Sequence, residues 1–86
     1  RERHPAIEEA CGFGIPDEIA GELVAAAVKL HSNTETTQAA LIEWCRTQVR
    51  PEAVPFRIEI VDDIPKNDRG KIARADVRHA MEAKWS

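Results

Sequence analysis

The chain has 86 residues, 43% hydrophobic and 31% charged, which excludes a disordered tail and leaves room for one domain with a modest core. Twelve Lys and Arg against 15 Asp and Glu give a net charge of −3, which argues against a general nucleic-acid binder. No apolar run approaches the roughly 18 residues of a membrane span.

Residues 1–5 read as the frayed end of a helix stopped by Pro5, which lacks the N–H a helix would use. The chain opens on Arg1 with no signal-peptide pattern, so it is expected to be a segment of something longer. Ile7 to Ile15 reads as a strand, weakened by Gly12 and Gly14. Pro16-Asp17 opens a turn or loop through Gly21. Leu23 to Leu30 is a continuous apolar stretch whose length fits a buried strand, although its three alanines also suit a helix. His31 to Thr36 is a polar loop.

Leu41, Trp44, Cys45 and Val49 fall at helical spacing, with Thr36 or Thr34 available to cap the start and Pro51 and Pro55 closing the end. Phe56 to Val61 alternates, with Phe56, Ile58 and Ile60 on one face, which predicts a strand with one buried side. Lys66 to Gly70 is a polar loop. A last helix turns Val77, Ala80, Met81 and Lys84 or Trp85 inward. The expected fold class is α+β: a small mixed or antiparallel sheet of about three strands flanked by helices, one domain over residues 1–86.

Cys11 and Cys45 lie in apolar contexts with nothing that demands their pairing, which reads as two buried free thiols in a reducing compartment, the cytoplasm. A catalytic cysteine would need a base, and the sequence places none. His4, His31 and His79 have no metal-ligand spacing, so no metal site is expected. Trp44 and Met81 read as core rather than as cofactor contacts.

The segment from Lys66 to Arg78 differs from the rest. It holds five basic residues (Lys66, Arg69, Lys71, Arg74, Arg78) and two acidic ones (Asp68, Asp76), a local +3 that suits an anionic ligand such as a phosphate or carboxylate. Gly70 permits a sharp turn or a close approach to a ligand, Lys71 supplies a flexible point charge, and Ile72 can anchor the loop in the core. A lysine ammonium about 4 Å from a phosphate oxygen gains of order 4 kcal/mol at an effective dielectric near 20 and about 1 kcal/mol in open water. Lys71 therefore matters chemically only where something else excludes water; otherwise the pair is a solvated turn. It is not a Walker phosphate loop, because Pro65 stands at the first glycine position and Ile72 where Ser or Thr would hold magnesium.

Four runs, in this order, resemble the C-terminal subdomain of the adenylate-forming superfamily, whose members are acyl-CoA synthetases, nonribosomal peptide synthetase adenylation domains and luciferases. They are His4-Pro5-Ala6-Ile7-Glu8-Glu9-Ala10, Gly14-Ile15-Pro16-Asp17 with Gly21-Glu22, Arg57 through Pro65, and Gly70-Lys71-Ile72. The resemblance covers His4 to about Arg78.

It implies a ligase that activates a carboxylate with ATP and passes the acyl group to the thiol of CoA or a carrier protein. Lys71, with Gly70, would carry the catalytic and substrate-binding role. The resemblance also places an N-terminal ATP- and acyl-binding domain and a hinge outside this segment. ATP and Mg2+ are then expected to be substrates bound mainly by that domain, none bound by the segment alone, and the segment alone is expected to be inactive. Where many members carry Tyr-Lys-Val-Pro, this chain reads Glu52-Ala53-Val54-Pro55, which weakens a grip on the phosphates of CoA on that side.

The spacing Pro65, four residues, Gly70-Lys71 also resembles the pattern recognised by protein acetyltransferases, which makes Lys71 a candidate modification site. The remaining alternatives are a non-catalytic interaction module and an α+β domain whose basic loop merely binds anions.

Overall fold

The computed structural model describes residues 4–86. Its elements are β1 (Ile7–Asp17), β2 (Gly21–Leu30), α1 (Gln38–Arg46), a 3-10 turn (Pro51–Ala53), β3 (Arg57–Val61) and α2 (Arg74–Trp85). The sheet is three-stranded and mixed, in the order β1-β2-β3. β1 and β2 form an antiparallel hairpin, and β3 joins β2 in parallel, with Ala25 opposite Arg57 and Lys29 opposite Val61.

β2 explains its own composition. As the central strand it is covered on both faces, which calls for an unbroken apolar run rather than an alternating one. Ala25 and Ala27 face Val77 and Met81 of α2, while Ala26 and Val28 face Leu41 of α1. Three consecutive alanines leave room for a helix on either side.

β1 carries one irregularity: its register against β2 shifts between Ile7 and Glu9. One extra residue reverses the alternation of side chains. Ile7 thus packs with α1, whereas Cys11, Phe13 and Ile15 pack on the α2 side.

Several sequence expectations need correction. Residues 1–3 lie outside the described residues, and no helix end is present at 4–6: Pro5 and Ala6 form a turn, and the Ala6 N–H donates to His4 Nδ1 at 3.0 Å. β1 runs on to Asp17, past Gly12, Gly14 and Pro16, because it is an edge strand and proline costs no ladder bond on its free side. The connection to β2 is only Glu18–Ala20, held by Asp17 Oδ2 accepting from the N–H groups of Ile19 (3.1 Å) and Ala20 (2.8 Å).

The cap of α1 is Thr37, whose Oγ1 accepts from the Ala40 N–H at 3.1 Å, and not Thr36 or Thr34. Thr34 spends its hydroxyl on the His31 carbonyl. Val49 falls beyond the helix, which ends at Arg46. Phe56 is half exposed and precedes β3, whose second face is not bare: Arg57 lies 4.2 Å over the Trp85 ring.

Of the two candidates at the end of α2, Trp85 turns inward. It stacks on Phe13 at 6.1 Å and donates from Nε1 to Glu59 at 2.7 Å. Lys84 reaches the other oxygen of Glu59 at 3.0 Å. Together Trp85 and Lys84 hold the Glu59 carboxyl below the usual glutamate range. Trp44 is half-buried, with the His4 ring edge-on against it at 5.1 Å.

Candidate functional site

The basic segment between β3 and α2 forms a closed hairpin loop. Lys66 and Ile72 make an antiparallel bridge, and Ile72 packs against the core beneath α2. Inside that pair the Asn67 N–H donates to the Lys71 carbonyl at 2.8 Å, and the Gly70 N–H returns to the Asn67 carbonyl at 2.9 Å. The tip is therefore Asp68-Arg69-Gly70, with Gly70 in the left-handed position of a three-residue hairpin at φ +76°. A side chain at Gly70 would meet nothing within 4 Å, so it is the backbone angle that demands glycine, not crowding.

The Asn67 side chain completes the tip. Its Oδ1 accepts from the Arg69 N–H at 2.9 Å and from the Lys71 N–H at 3.1 Å. The sequence offered a sign of this, since Asn before Asp-x-Gly is turn chemistry.

The two lysines of the loop have different surroundings. The Lys66 ammonium meets Glu9 Oε1 at 3.0 Å, the Ile64 carbonyl at 3.2 Å and Asp63 Oδ1 at 3.3 Å. Three acceptors use its three protons. Its pKa is raised, first by the hydrogen bond to Glu9, and its separate hydrogen bond to Asp63 holds that carboxyl below the usual aspartate range. Lys29 adds a link, 3.2 Å from Glu8 and 3.6 Å from Asp63.

Lys71 is exposed, and its ammonium has no hydrogen bond or ion pair among the described residues. Arg78 is partnered within α2 by Glu82 at 3.3 Å. Of the five basic residues, Arg69, Lys71 and Arg74 are left without an ion pair among the described residues, and they carry the outward positive charge.

The other candidate residues are placed elsewhere. Cys11 and Cys45 belong to clusters on opposite faces of the sheet, and burial pushes the Cys45 thiol up, away from thiolate chemistry. Cys45 is half-buried rather than fully enclosed. Among the described residues, no group of three or more His, Cys, Asp or Glu converges to hold a metal ion. No helix there is long and apolar enough to cross a membrane. An open groove of about 530 Å³ separates Phe13, Gly14 and Glu22 from Arg74, Arg78 and His79, and Lys71 stands outside it.

A small mixed sheet with a helix on each face is an arrangement shared with known proteins. The family described as the AMP-binding enzyme C-terminal domain matches residues 2–71. The chain belongs to that family.

The mitochondrial malonate–CoA ligase of Homo sapiens is 38% identical over 77 residues, which is 88% of this chain and 13% of that protein. A fatty acyl CoA synthetase of Mycobacterium tuberculosis superposes with a TM-score of 0.80 at 31% identity, covering 94% of this chain and 16% of its own. The amide bond synthetase McbA of Marinactinospora thermotolerans gives 0.82 at 32% identity, over 90% of this chain and 16% of its own. The chain thus spans roughly one-seventh of the length of the proteins it resembles.

Proposed function

We propose that this chain is the mobile C-terminal subdomain of an ATP-dependent carboxylate-activating ligase and that Lys71 is its catalytic residue. The observation that carries the reading is the contrast within one loop. The fold saturates the ammonium of Lys66 and presents that of Lys71, unpartnered among the described residues, at the end of a closed hairpin beside a glycine. A free charge on a rigid mount suits a group that works in a cavity built by another domain.

In the first half-reaction a carboxylate oxygen bonds to the α-phosphorus of ATP, and the bond to the bridging oxygen breaks. Pyrophosphate leaves, and an acyl-adenylate remains. Lys71 would hydrogen-bond the attacking carboxylate and the α-phosphate oxygens and offset the charge that builds there. In the second half-reaction a thiol attacks the acyl carbon and AMP leaves. We take CoA as the acceptor, in line with the CoA ligases among the relatives. ATP and Mg2+ enter as substrates of the N-terminal domain, which this subdomain covers and then uncovers by rotating about a hinge.

In the intact ligase, Lys71→Ala should slow ATP–pyrophosphate exchange by about 10²–10³, the usual loss for one preorganised transition-state donor. Exchange at the normal rate in that variant would defeat the assignment. Arginine is a poor control, because its planar fork does not replace a point charge.

The same exposure favours a second reading, in which a protein acetyltransferase modifies Lys71 and removes its charge. Incubation with acetyltransferase and acetyl-CoA, followed by mass spectrometry, tests it; label spread over many lysines while sparing Lys71 counts against it.

A further inference from the structure

We infer that Asn67 is a positioning residue for Lys71, one that fixes the backbone from which the ammonium is delivered. The inference rests on the reading of Lys71 given above and adds a residue that the lysine's own motif does not contain.

Asn67 holds Lys71 on both sides of its α-carbon. Its main-chain N–H donates to the Lys71 carbonyl at 2.8 Å, and its side-chain oxygen accepts from the Lys71 N–H at 3.1 Å. The same oxygen takes the Arg69 N–H at 2.9 Å, which closes the tip. Both side-chain partners are donors, so only the carbonyl oxygen of the Asn67 amide can face them.

Asn67 is in turn fixed from below. Its neighbour Lys66 pairs with Ile72 across the stem and sends its ammonium to Glu9 on β1, to Asp63 and to the Ile64 carbonyl. The support therefore runs from the sheet through the Lys66 side chain, along the main chain to Asn67, and through the Asn67 hydrogen bonds to Lys71. The Asn67 side chain is exposed, and the residue is no member of either apolar cluster. Removal of that side chain therefore releases the N–H groups of Arg69 and Lys71, keeps the main-chain bond to the Lys71 carbonyl, and leaves the core intact. A displacement of about 1 Å in a catalytic group costs up to about 10² in rate, so a loosened tip should be visible in catalysis.

The test is ATP–pyrophosphate exchange in the intact ligase for wild type, Asn67→Ala, Asn67→Asp, Lys71→Ala and the Asn67→Ala/Lys71→Ala pair. Asn67→Ala should lower kcat about 10- to 100-fold with the KM for ATP unchanged. Asn67→Asp keeps an acceptor oxygen in place and should recover most of that loss. In the Lys71→Ala background, Asn67→Ala should add almost nothing, because a positioning residue acts only through the group it positions. A merely structural role predicts losses that multiply. Multiplying losses, a wild-type kcat for Asn67→Ala, or Asn67→Asp as slow as Asn67→Ala would each overturn the inference. Normal exchange by Lys71→Ala would instead overturn the reading beneath it, and the two failures separate within one set of measurements.

Discussion

Lys66 and Lys71 sit at the two ends of one loop, and only one of them is available for chemistry. Lys66 is at the stem, where Glu9, Asp63 and a carbonyl converge on its ammonium. Lys71 is past the tip, where the hairpin bonds involve its main chain and leave its side chain in solvent. The difference is topological. At the stem β1 supplies a carboxylate to Lys66, whereas no carboxylate among the described residues pairs with Lys71. A local charge of +3 is therefore not a uniform basic patch: the fold spends part of it on holding the loop and offers the remainder.

The largest effect that can break this comparison is the loss of about 10²–10³ expected for Lys71→Ala in pyrophosphate exchange. Lys66→Met is the matched experiment. It removes the anchor and leaves Lys71 in place, so exchange should fall by about tenfold or less. Equal losses at both positions would mean that the two lysines are not divided into anchor and working group.

Chemical labelling sharpens the same contrast without an activity assay. An amine-acylating reagent at mildly alkaline pH should modify Lys71 ahead of Lys66. The raised pKa of Lys66 keeps it protonated, and attack by its nitrogen would break three hydrogen bonds. The sign of the pH dependence follows. The stabilisation from Lys66 is fully present below its unfolded pKa, about 10.4, and is lost only as pH rises through its higher folded value. Peptide mapping that finds Lys66 labelled first would reverse the assignment.

Much of this fold was legible in the sequence, and the illegible parts share a cause. The period-2 pattern at Ile58 and Ile60 and the helical spacing of Val77, Ala80 and Met81 are local signals, and they marked β3 and α2 correctly. Gly70 marked the turn of the loop and Ile72 its anchor in the core. What could not be read depends on residues far apart in the chain. Glu9 meets Lys66 across 57 positions, and Gln38 Oε1 accepts from the Ile58 N–H at 2.8 Å across 20. The register shift near Glu8 reverses a side-chain alternation that the sequence shows unbroken. The alanines of β2 were ambiguous for the same reason: their meaning lies in the helices on either side.

If partnering rather than residue type separates structural from working groups, a tied group far from the loop should register in stability alone. Glu59 provides the smallest and cleanest case. Its carboxylate accepts from Trp85 Nε1 at 2.7 Å and lies 3.0 Å from Lys84, and those contacts lower its pKa in the folded state. A lowered folded pKa contributes stability that is present above the unfolded value, near 4.3, and is lost as pH falls through the folded value. Glu59→Gln keeps an acceptor for Trp85 but removes the charge. It should cost about 1 kcal/mol or less at neutral pH, the difference between a charge-assisted and a neutral hydrogen bond. Thermal melts of the two proteins should converge as the pH drops below about 4.3, because wild type alone loses the ionised carboxylate there. Asp63, also held below its usual range, is present in both and cancels in the difference. Melting curves that stay parallel through the acid range would show that Glu59 is tied in geometry and not in energy, and the division drawn between the two lysines would then need support beyond hydrogen-bond geometry.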